Sequence, residues 1–175
     1  NLPGLPETEI RIQGEGTLNY WKGTLDVKAG SELWAKGSTS IIAVKEPAKY
    51  DVDLDLQSGF SILLEPKLRP LVGEVLRVKT TASIDPLGAD ELKELKINGA
   101  GAILNASGNF DSSQNIGNLK FNIQNNDSKP FDQLAQGAKW NSFSVSGEAL
   151  GDLSKPNVYV KLKLQKPSFE NNFAD

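Results

Sequence analysis

At 175 residues the chain is long enough for one domain of ordinary size, but its 38% apolar and 7% aromatic content limits how dense a core it can build. Its 22 acidic and 19 basic side chains are spread along its length and leave a net charge of −3, which gives no basic footprint for nucleic acid. With no Cys and no His it lacks disulfides, thiol nucleophiles and zinc–thiolate ligands, and also the commonest general base and metal ligand.

Carboxylates, Lys and Ser remain, and no motif organises them for catalysis. The expectation is a non-enzymatic protein with no catalytic residue, metal or cofactor. There is no Met, at position 1 included, so residues 1–175 read as a single interior segment of a longer protein. No signal peptide opens the chain, and no apolar run approaches the ~20 residues of a membrane-spanning helix.

Apolar residues recur at every second position almost throughout. A strand sends alternate side chains to opposite faces, so this period predicts strands with one greasy face and one wet face. In chain order, Ile10 and Ile12 lead into Gly14, Gly16, Leu18 and Tyr20. Leu25, Val27 and Ala29 follow, then Leu33, Ala35, Gly37, Thr39 and Ile41. The clearest case is "YDVDLDLQSGFSILL" (50–64), with Val52, Leu54, Leu56, Phe60, Ile62 and Leu64 on one side and Asp51, Asp53, Asp55 and Gln57 on the other.

Further on come Leu76, Val78, Thr80, Ala82 and Ile84, then Leu95 and Ile97 running into Gly99 and Gly101. Leu104 to Phe110, Leu119 to Ile123, Phe143 with Val145, and Val158 to Leu164 complete the series. That makes roughly ten strands with turn signals about every ten residues, an all-β pattern. Helical signal is confined to three stretches. "EPKLRPLVG" (65–73) allows one or two turns between its prolines, "PLGADELKEL" (86–95) one turn, and "KPFDQLAQGAKW" (129–140) a short helix ending at Gly137.

The opening phrases "IRIQGEGTL" (10–18), "LKINGAGAIL" (95–104) and "FSVSGEALG" (143–151) form a loose repeat of irregular period. Gly14, Gly16, Gly37, Gly99, Gly101, Gly108 and Gly147 fall inside strand patterns. There a glycine marks a bulge, a bend or a close backbone approach, or else the ordinary end of a hairpin.

The chemical motifs are weak. Asp51, Asp53 and Asp55 begin like a calcium loop. The match fails at Leu56, where Gly makes the sharp turn, and at Ile62, where a bidentate Glu belongs. "GAGAIL" (99–104) starts like a dinucleotide loop and is followed by no helix. Glu15 with Asp26 is an imaginable glycosidase pair that nothing in the sequence brings together. Trp21, Trp34 and Trp140 suit either a stacking platform for sugars or anchors at strand ends, the anchors being commoner. The apolar faces must meet something, because exposed apolar area costs about 25 cal/mol per Å². Either two sheets close as a β-sandwich, an adhesin-like or carbohydrate-binding module, or one long sheet curls and leaves an apolar groove.

Four phrases carry a family likeness: "GTLNYWKGTLDVKAGSELWAKGSTSI" (16–41), "FSILLEPKLRPLVGEVLRVKTTASI" (60–84), "KINGAGAILNASGNFD" (96–111) and "FDQLAQGAKWNSFSVSGEALGDLSKPNVYVKLKL" (131–164). In this order they resemble an interior segment of the TamB family (translocation and assembly module subunit) within the AsmA-like superfamily.

The resemblance implies a β-taco, a long curled antiparallel or mixed sheet with an apolar interior and one or two short helices. It implies a periplasmic location in a diderm bacterium, with the full-length protein anchored in the inner membrane. It further implies phospholipid transport between the membranes and support of outer-membrane protein assembly. The partners implied are phospholipid acyl chains and, through other parts of the full-length chain, an Omp85-type outer-membrane protein. No catalytic residue transfers. What transfers is a lipid-facing wall: Val52, Leu54, Leu56, Phe60, Ile62, Leu76, Val78, Leu119, Phe121, Ile123, Val158, Val160, Leu162 and Leu164. Unpaired strand edges would also favour self-association of the segment.

Overall fold

The computed structural model describes residues 7–17, 19–30, 33–44, 49–135 and 137–169, and only the backbone of Ile62. Leu18, at the end of the first predicted strand, lies outside the described residues. Ten strands form one open, curled antiparallel sheet: β1 (Thr8–Thr17), β2 (Tyr20–Ala29), β3 (Leu33–Val44), β4 (Lys49–Gly59), β5 (Leu76–Ile84), β6 (Ala89–Asn98), β7 (Ile103–Asp111), β8 (Ile116–Asn125), β10 (Ser142–Asp152) and β11 (Asn157–Gln165). Each strand pairs with its neighbours in sequence, except that β9 (Ala138–Lys139) leaves the sheet and pairs with β12 (Ser168–Phe169). Among the described residues the only other sheet is this two-stranded ribbon, too small to close over ten strands, so the sandwich expectation is not met.

The short hairpins β1–β2, β3–β4, β5–β6, β7–β8 and β10–β11 turn at one end of the strands. The helical pieces gather at the other. There the chain makes 3-10 turns at Ser61–Leu63 and Pro66–Leu68, then α1 (Arg69–Val72), as the two-proline segment predicts. In residues 129–140 a 3-10 turn, Lys129–Phe131, and the short strand β9 stand in place of the expected helix.

Asn125, 4% exposed, ties this end together. Its Nδ2 donates to the carbonyls of Gly101 and of Asp127 (2.7 Å), and its Oδ1 accepts from Trp140 Nε1 (2.8 Å). Phe131, Trp140 and Phe143 stack edge-on or tilted beside it, with centroids 5.4–5.9 Å apart. Gly99 and Gly101 are not strand residues. They lie in the β6–β7 turn, where the Gly101 N–H bonds to the Leu71 carbonyl (2.7 Å) and a Cβ on Gly101 would sit 2.8 Å from the Leu71 Cα. The phrase 95–104 therefore spans a hairpin, whereas 10–17 and 143–151 each lie within one strand, so the loose repeat is not a structural unit.

Residues 86–95 form a turn and a strand rather than helix. The β5–β6 register shifts between Thr81 and Ala82, pairing Thr81 with Glu94 and Ala82 with Leu92. The bulge absorbs Lys93, so Leu92 and Leu95 share a face although they are three apart. That spacing is what mimicked a helix. On the opposite face the bulge lets Lys93 reach Asp51 Oδ1 at 2.8 Å, and Ser83 also donates to that carboxylate.

The Lys93 and Ser83 hydrogen bonds hold the Asp51 carboxyl below its ordinary pKa, and the Asp51 contact raises that of Lys93. A depressed carboxyl stabilises the fold above its unfolded value of about 3.9 and loses that contribution as pH falls through the folded value. Asp51→Asn is expected to flatten the acid limb of a urea-stability profile below about pH 4 and to leave the profile's shape unchanged between pH 5 and 8.

Candidate apolar groove

Antiparallel partners point to the same side of a sheet, so the registers define its faces. One row crosses all ten strands without a polar residue: Ile12, Leu25, Gly37, Leu56, Val78, Ile97, Leu104, Ile123, Val145 and Leu162. A second flanking row contains Leu54, Thr80, Leu95, Ala106, Phe121 and Val160. A third contains Trp21, Ile41, Val52, Ala82, Leu92, Leu119 and Val158. At the helical end a shorter row holds Leu76 and, across the sheet, Phe143 with Leu164. Ten strands at roughly 4.8 Å make this face about 43 Å long, and four rows make it about 20 Å wide.

Of the fourteen expected wall residues, twelve lie on this face: Val52, Leu54, Leu56, Leu76, Val78, Leu119, Phe121, Ile123, Val158, Val160, Leu162 and Leu164. Phe60 and Ile62 do not continue the strand. β4 ends at Gly59, where the Trp34 indole opposite lies in the space a Cβ would take, 2.3 Å from Nε1. The chain then turns into the 3-10 segment. Phe60 sits at the start of that turn, and the Ile62 side chain lies outside the described residues.

The face is not sealed. Among the described residues no apolar side chain is fully buried, and Val158, Val160 and Leu162 are more than half exposed. The accessible surface, 12,130 Å², far exceeds the ~8,300 Å² of a compact chain of this mass.

Glycine and aromatic residues interlock on the same face. A Cβ on Gly23 would sit 2.1 Å from the Trp21 ring and one on Gly14 2.3 Å from it. One on Gly147 would sit 2.3 Å from Phe121. The rings lie flat over bare backbone, a cross-strand pairing of aromatic with glycine. The in-strand glycines therefore floor the aromatic rings as well as easing curvature. Trp21, Trp34 and Trp140 all pack as anchors, Trp34 on the polar side between Lys28 and Gly59.

At the helical end the face deepens into a recess of about 250 Å³, walled by Phe131, Trp140, Phe143, Leu162, Leu164 and Phe169. Its one charged lining residue, Lys139, donates to Asp132 (2.8 Å). Nothing in the alternation of residues 142–164 announced this recess. The aromatic spacing Phe131, Trp140, Phe143 was the available signal.

The opposite face is charged. Asp51, Asp53 and Asp55 alternate along β4 on this side. Asp53 accepts from Thr81 (2.8 Å) and Ser40 (3.4 Å). Lys36 pairs with Asp26 (3.7 Å) and Lys120 with Glu148 (3.9 Å). Glu15 lies opposite Lys22 and Asp26 opposite Arg11, four residues apart along the strands, or about 13 Å. That is beyond the separation of a glycosidase pair. Among the described residues no three of His, Cys, Asp and Glu group as metal ligands, and no helix is long and apolar enough to cross a membrane.

The fold and its unroofed face define a class, an open β-sheet wall with a lipophilic side and a solvated side. Comparison with protein-family profiles, curated proteins and solved structures returns no match.

Proposed function

We propose that the chain is a non-enzymatic lipid-conducting segment of a cell-envelope protein. In this reading phospholipid acyl chains lie along the apolar rows while head groups stay in water at the margins of the face. The segment belongs to a periplasmic protein of a diderm bacterium, anchored in the inner membrane. It carries phospholipid between the membranes and supports outer-membrane protein assembly. The Omp85-type partner of that work is contacted through other parts of the full-length chain.

The observation that supports this is the unbroken apolar row from Ile12 to Leu162 on a face without a roof. Each buried methylene contributes about 0.8 kcal/mol. A uniform wall of Leu, Ile and Val therefore holds a chain firmly without fixing its position, so the chain can slide.

Mass spectrometry of gently purified protein tests the reading. Bound phospholipid is expected in protein purified from a diderm host, with uptake of a fluorescent phospholipid by protein stripped of lipid. Protein that carries no lipid and takes up none would leave the apolar face without this role.

A further inference from the structure

The polar face of β1 to β5 carries a channel on the side of the sheet away from the apolar rows. Five residues that pair across these strands, Gly14, Gly23, Thr39, Leu54 and Thr80, floor it with their backbone. The Trp21 ring covers Gly14 and Gly23 from the apolar side, 2.3 and 2.1 Å from where a Cβ on each would stand. The channel reaches both glycines, so it opens on the polar side.

One wall is the row Gln13, Thr24, Ser38, Asp55 and Lys79. The other is the row Glu15, Lys22, Ser40 and Asp53. The short hydroxyl side chains stand in mid-channel between longer ones and deepen it into a trough of about 670 Å³. β2 to β5 are paired on both sides, so the floor does not rest on a free edge. A strand added beside β1 would lengthen the channel.

The dimensions select the occupant. The channel runs across the strands for about 19 Å, and its walls, two residues apart on each strand, stand about 7 Å from one another. It is one chain wide, and its chemistry repeats once per strand, at about 4.8 Å. An extended β-1,4-linked hexopyranose chain advances by one ring in nearly that distance, so each ring meets one strand. An extended peptide advances about 3.3 Å per residue and falls out of step. An acyl chain offers the walls no hydrogen bond.

The charges point the same way. Asp55 stands with Lys79 in one wall, and Glu15 and Asp53 with Lys22 in the other. A polyanion or a polycation meets like charge on either side. The hydroxyls of an uncharged sugar can donate to the carboxylates and accept from the lysines.

We propose that this channel binds an uncharged, extended β-1,4-linked glycan, one ring to each strand. Glycan and lipid then occupy opposite faces of one wall, and binding of either does not require the other.

Calorimetric titration with β-1,4-linked glucose oligomers tests this. Affinity is expected to rise with each ring from cellobiose to cellopentaose. Maltopentaose, the same sugar in a coiling α-1,4 linkage, is expected to bind roughly tenfold more weakly, because its rings cannot each face a strand. The Ser38→Ile, Ser40→Ile double variant removes two hydroxyls and fills mid-channel with side chains that suit a strand. It is expected to keep its circular dichroism and to lose cellopentaose affinity roughly tenfold. Asn109→Ser, on the polar face of β7 and outside the channel, is expected to change nothing.

Equal binding of cellobiose and cellopentaose, or of maltopentaose and cellopentaose, would overturn the match of ring to strand. Tighter binding of a sulfated oligosaccharide of the same length would overturn the uncharged class. Full cellopentaose binding by a folded Ser38→Ile, Ser40→Ile protein would overturn the proposal, as would no binding by the unmodified protein at millimolar cellopentaose.

Discussion

Leu54→Asp is expected to lower phospholipid uptake on the order of 100-fold while leaving the sheet folded. Leu54 sits near the middle of the apolar face, between Thr39 and Thr80, and is half-buried. Its polar neighbours and partial exposure let a carboxylate there stay hydrated when no lipid is bound. An acyl chain crossing the position must either strip that carboxylate of water or give up contact with about three methylenes. The second course costs roughly 2–3 kcal/mol. Asp55→Ala, one residue along on the charged face, is expected to leave uptake unchanged. Leu162→Asp, at an edge position that is 63% exposed, is the companion variant and carries no folding penalty of note. Circular dichroism with a fluorescent-lipid titration separates the outcomes. Folded Leu54→Asp and Leu162→Asp proteins with normal uptake would remove the apolar face from the function.

Asn125→Leu is expected to be the most damaging single change for stability, at about 3–5 kcal/mol. Its side chain serves two carbonyls and the Trp140 indole from a site that is 4% exposed. Leucine would fill the volume and leave the Gly101 carbonyl and the Trp140 N–H unpaired, each at a cost of about 1–3 kcal/mol. A domain with an ordinary total of 5–15 kcal/mol would lose a large share of it. The urea midpoint reports the loss, and Trp140 fluorescence should shift as the aromatic recess opens. Asn126→Ala, at the exposed next position, is expected to change the midpoint by less than about 0.5 kcal/mol.

Those two positions also show where sequence reasoning reached and where it stopped. Leu54 was legible, because a period of two needs only local geometry to place Val52, Leu54 and Leu56 on one side. Asn125 was not. Its importance comes from Gly101, 24 residues earlier, and Trp140, 15 residues later, meeting it at the helical end of the sheet. The bulge at Lys93 was misread for the same reason. Leu92 and Leu95 are spaced as on a helix, and only the register against Ala82 and Thr80 turns that spacing into a strand with an extra residue. Phe60 and Ile62 left the predicted wall because β4 stops at Gly59 and the chain turns into a 3-10 segment at Ser61, and the unbroken alternation of 50–64 does not mark where the strand ends.

By itself the sequence determined that the chain is all-β, which residues share each face, and that one face is apolar and the other charged. These follow from alternation, which acts within a strand. Only the tertiary structure decided that ten strands form one open sheet, that they align one continuous apolar row, and that among the described residues only its helical end is walled in. Registers, packing partners and open edges are set by contacts between distant residues, and the same alternating strands would serve equally well in a sealed sandwich.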